Sequence, residues 1–80
     1  MISFWVIKMP RIKNWKIGLK ARRYIVYLNP NAYPDNVTIH FNEIHNAWFV
    51  RNGWEHLWRF QTKKEALKFA INWMRGHPNG

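Results

Sequence analysis

The chain predicts an α+β fold: a twisted antiparallel sheet of about five or six strands with one C-terminal helix packed on one face. Three observations carry this. Several runs before residue 60 alternate apolar and polar residues with period two, which points successive side chains to opposite faces of a strand. Asn52-Gly53 sits between two aromatic, β-rich runs and is a strong hairpin signal. Thr62-Lys63-Lys64-Glu65 then reads as a capping box at the start of a helix-period segment. Eighty residues make one small basic domain spanning 1–80.

The elements follow in order. Ile2 to Lys8 is mostly β-branched or aromatic and predicts a first strand, apolar on both faces, that Pro10 ends because it cannot donate to a ladder. Trp15, Ile17, Leu19 and Ala21 alternate with Lys16, Gly18, Lys20 and Arg22. That predicts a strand with an apolar inner face and a basic outer one. A helix over the same residues would interrupt its apolar side with Lys16 and Gly18. The alternation restarts at Tyr24, Val26 and Leu28, so a β-bulge is expected at Arg22-Arg23, where no Gly, Asn or Pro offers a turn. Residues 29–36, N-P-N-A-Y-P-D-N, are a loop by composition. Val37, Ile39 and Phe41 alternate with Thr38, His40 and Asn42 as the next strand.

A two-residue Asn52-Gly53 loop pairs Arg51 with Trp54, Phe49 with His56 and Ala47 with Trp58. Phe49, Trp58 and Phe60 then share a face, expected to lie under the helix. Trp48, Val50, Leu57 and Arg59 are expected on the outer face. The helix runs from Thr62, its N-cap, to about Arg75, and Gly76 and Pro78 end it. Ala66, Leu67, Phe69, Ala70, Ile71, Trp73 and Met74 form its apolar arc, opposite Lys64, Lys68 and Arg75.

The six Trp, five Phe and three Tyr supply enough apolar area for a core in so short a chain. With no Cys there is no disulfide and no thiolate metal site, as suits a reducing cytoplasm. The N-terminal run is too short to span a membrane and lacks a signal-peptide pattern, so a soluble cytoplasmic protein is expected. The formal net charge is +9, and the seven Lys or Arg before residue 34 face no acid there. Such an excess favours an anionic partner. No phosphate-binding loop, nucleophile elbow or HExxH motif is present, and four acids are few for a two-metal carboxylate site. No metal or cofactor is expected.

The segment W-F-V-R-N-G-W-E-H-L-W-R-F-Q-T-K-K-E-A-L-K-F-A, residues 48–70, resembles small modules of three antiparallel strands followed by one helix. One such family is the plant ethylene-response-factor type DNA-binding domain, with the related arm-binding domains of tyrosine integrases. Another is a group of short uncharacterised bacterial proteins. The first resemblance implies that the sheet contacts DNA, with Trp48, Arg51 and Arg59 as contacts and Phe60, Thr62, Glu65 and Ala66 as scaffold. The residues themselves predict a small non-enzymatic nucleic-acid-binding protein that makes mainly phosphate contacts with low base specificity. Its expected contacts are Lys13, Lys16, Lys20, Arg22, Arg23, Trp48, Arg51 and Arg59. Two further readings stand beside it. One is an inhibitor or adaptor, of the kind phages encode, that binds an acidic protein through a basic, Trp-rich surface. The other is a ribonuclease toxin with His40 or His56 as general base and a lysine or arginine on the phosphate.

Overall fold

A computed structural model describes residues 11–80. The expected first strand, Ile2–Lys8, lies outside the described residues. Strands β1 (Lys16–Ala21), β2 (Tyr24–Leu28), β3 (Val37–Asn42), β4 (Ala47–Asn52) and β5 (Glu55–Phe60) form an open antiparallel sheet in sequence order. Helix α1 (Lys63–Arg75) packs on one face, against β3, β4 and β5. The α+β architecture is therefore the one expected.

The core is built from every second residue. Ile25 stands opposite Ile39, and Ile39 opposite Val50, while Tyr27 stands opposite Val37. All five are buried, and Ala66, Ala70 and Met74 of α1 close over the sheet at spacing four. Phe60 meets Phe69 with ring centroids 5.3 Å apart. Thr62 caps α1 by accepting from the Glu65 N–H at 3.2 Å. The reciprocal arm of the box differs: the Thr62 hydroxyl donates to the Glu65 carboxylate at 3.0 Å. Gly76 ends the helix at φ −83°, in ordinary right-handed space, so it does not serve as a left-handed cap.

Two bulges and one turn correct the expected phasing. The Arg22-Arg23 pair is a two-residue turn that sets Ala21 opposite Tyr24; neither residue has positive φ. The bulge falls at Gly18 instead, where an added Cβ would run into the Leu28 side chain. It flips the strand's phase. Lys16, Leu19 and Ala21 share a face with Leu28, Val26 and Tyr24, whereas Ile17 and Lys20 share the other with Tyr27 and Ile25. All six β1 residues are exposed, as fits an edge strand. Trp15 is buried as expected, but in the turn before β1, where its N–H bonds the Ile12 carbonyl.

In the second hairpin the loop is Gly53-Trp54, one residue later than expected, with Asn52 opposite Glu55. Gly53 takes φ +59°, and its N–H donates to Asn36. A bulge at Leu57 then sets Val50 opposite Trp58 and Trp48 opposite Phe60. The expected pairs Arg51–Trp54, Phe49–His56 and Ala47–Trp58 are thus corrected. Trp48 and Val50 lie on the helix side, and Phe49, Arg51 and His56 lie on the outer side.

The C-terminal turn is tied down independently. The Trp15 indole donates to the His77 carbonyl, and the Asn14 and Asn29 amides both donate to the Pro78 carbonyl, each at 2.9 Å. His77 stacks on Trp73 at 3.9 Å.

Candidate nucleic-acid interface

Among the described residues nothing packs over the sheet face away from α1, and the pairing orders its residues into two rows. Opposed residues of neighbouring strands share a face. The first row runs Ala21, Tyr24, His40, Phe49, Arg59 from β1 to β5. The second runs Leu19, Val26, Thr38, Arg51, His56. Neither row contains an acid. The face presents aromatic rings, imidazoles and guanidinium groups across five strands, each about 4.7–4.9 Å from the next.

Phe49 is the hub. The rings of His40 and His45 lie 5.6 Å from it and that of His56 lies 5.0 Å away; His45 is near-parallel and His56 edge-on. Tyr24 lies 6.2 Å from His40. His45 reaches the face from the β3–β4 turn, where its N–H donates to the Asn42 side chain at 3.0 Å. A groove of about 480 Å³ opens beside the hub, lined by Tyr24, Thr38, His40, Arg51, Asp35 and Trp54 among others. That volume is in the range of small-ligand sites. Trp54 stands at its rim, 92% exposed.

The two rows carry cationic and titratable imidazole groups, and Asp35 is the acid on the groove lining. Burial above all, then the charges of Arg51 and His56, hold the His40 imidazole below the usual histidine range. Arg51 is half-buried; one terminal N–H donates to the Trp54 carbonyl at 3.4 Å, while its buried Nε has no partner among the described residues. The guanidinium lines the groove without a salt-bridge partner among the described residues, with the Asp35 carboxylate elsewhere on the lining, and such a group suits an incoming anion. No cluster of three His, Cys, Asp or Glu side chains able to hold a metal occurs among the described residues.

The expected contact residues fall into separate places. Arg51 and Arg59 both stand on the outer face, Arg51 against the expected register. Trp48 does not: it packs beside the core on the helix side, with the Lys63 ammonium 5.7 Å from its ring. Arg22 and Arg23 line a notch with Phe41, Trp48 and Lys63 at the β1–β2 turn. There Lys63 donates to the Arg22 carbonyl at 3.0 Å, and Arg23 sits over Phe41 and pairs with Glu43 at 3.3 Å. Lys13 and Lys16 lie at the far end of β1, about the Ile12–Trp15 turn. Lys16 and Lys20 point to opposite faces of the edge strand, so the expected basic strand face does not form.

Sequence reasoning missed Tyr24, Phe49 and the three-histidine cluster as parts of one surface. The signal was present in the alternation of β3, which puts His40 opposite the buried Ile39 side. No protein family, curated protein or solved structure matches the chain. No helix among the described residues is long and apolar enough to cross a membrane.

Proposed function

We propose that this protein binds nucleic acid through the open sheet face, with single strands as the preferred form. The observation that carries the reading is the two-row arrangement of Tyr24, His40, Phe49 and Arg59 beside Thr38, Arg51 and His56. Bases stack on exposed rings regardless of sequence, and arginines meet the phosphates between them. Duplex DNA offers no free base faces to Tyr24, Phe49 or Trp54. The net charge of +9 adds a long-range attraction that falls with salt. Contacts of this kind give low base specificity.

The test is fluorescence anisotropy with labelled single-stranded and duplex oligonucleotides at two salt concentrations. Tighter binding of the single strand, with Kd rising steeply with salt, is the expected result. Absence of binding at low salt to either form contradicts the reading. An acidic protein is the second reading, and the notch of Arg22, Arg23, Trp48 and Lys63 favours it. A partner retained from a lysate after nuclease treatment, and lost on Arg22→Glu with Arg23→Glu, would support it.

A further inference from the structure

We propose that the outer sheet face cleaves single-stranded RNA, with His40 as general base, His56 as general acid and Arg51 on the scissile phosphate. The inference rests on the binding reading above and adds a reaction to it. Its geometry comes from the ladder. Arg51 stands directly opposite His56 on β5 and Thr38 on β3, and His40 is the next residue along β3 on the same face. Directly opposed Cβ atoms lie about 5 Å apart and diagonal ones about 7–8 Å. A phosphodiester seated on Arg51 therefore has an imidazole on either side. The Phe49 ring, against which both imidazoles pack, forms the floor between them.

The chemistry balances without a further reagent. His40 takes the proton of the ribose 2′-hydroxyl. The 2′ oxygen forms its bond to phosphorus as the bond from phosphorus to the 5′ oxygen breaks. The His56 imidazolium gives its proton to that departing oxygen. The products are a 2′,3′-cyclic phosphate and a 5′-hydroxyl end. Arg51, which lines the groove, bonds the non-bridging oxygens where charge builds up. Burial and the neighbouring Arg51 favour neutral His40, the form a base requires. The groups facing His40 are Tyr24 from β2, Arg51 from β4, His56 and Arg59 from β5, His45 from the turn, and Asp35 across the groove.

The experiment incubates the full chain with a single-stranded oligoribonucleotide and with the deoxyribonucleotide of the same sequence. The RNA is expected to yield cyclic-phosphate ends, and the DNA to bind uncut. His40→Gln and His56→Gln should each lower the rate about 100-fold or more, far beyond any loss of DNA affinity, while melting at the assay pH stays near wild type. On the acid side the rate should fall below the ordinary histidine value of about 6.5, and Arg51→Gln should move that limb upward. Bound but intact RNA overturns the catalytic proposal alone. Failure to bind either strand overturns both readings. Cleavage unchanged in either folded variant, His40→Gln or His56→Gln, overturns the residue assignment, as does an acid limb that Arg51→Gln leaves in place.

Discussion

Thr62 shows how far a single residue can be read in advance. A hydroxyl four residues before a buried alanine, followed by Glu65, has one common use, and the structure realises it as an N-cap. Thr62→Ala should cost about 0.5–2 kcal/mol of stability in urea unfolding. Trp54 and Phe49 were legible as aromatic, but their side of the sheet was not. His40 makes a residue-scale prediction of its own. Its pKa is lowered by burial, Arg51 and His56, so the unfolded chain binds the proton more readily. Its contribution is intact above the unfolded value of about 6.5 and is lost as pH falls through the lower folded value. The melting temperature should therefore drop between pH 7.5 and 5, and His40→Gln should shrink that drop. An identical drop in the variant would contradict the shift.

At the scale of elements, strand β3 and helix α1 were legible because their patterns run unbroken. Strand β2 reads as β1 continued past a bulge, in phase at Tyr24, Val26 and Leu28, whereas it follows a turn and buries Ile25 and Tyr27. Strand β1 and the β4–β5 hairpin were not legible, because each contains one unpaired residue. A slip of one position sends every later side chain to the other face. Gly18 does this to Lys20, and the displaced loop and Leu57 bulge do it to β5. The consequence is a sharp contrast in mutational cost. Ile39→Ala, at 0% exposure between Ile25 and Val50, should cost about 2–5 kcal/mol. Ile17→Lys, on the edge strand at 36% exposure, should cost less than about 1 kcal/mol. Equal losses in chemical denaturation would mean that β1 is covered rather than an edge.

For the whole molecule, the fold class followed from period and punctuation, whereas the proposed interface depended on register shifts, one signalled only by the isolated Gly18 and the other, at Leu57, by no local pattern. The charge excess was legible as a preference for anions but not as a surface. The cations expected to act together on β1 are dispersed, and the surface that unites aromatics with arginines lies across β2 to β5. Tyr24→Ala and Phe49→Ala should each weaken single-strand binding by about 1–3 kcal/mol, with duplex affinity changed less. The most direct test of the central claim is amide chemical-shift mapping of the chain titrated with a single-stranded oligonucleotide. The account predicts that the perturbed residues are those of the two rows and the groove rim: Tyr24, Thr38, His40, Phe49, Arg51, Trp54, His56 and Arg59. Perturbations confined to the exposed side of α1, or to the notch around Arg22, Arg23 and Lys63, would contradict it.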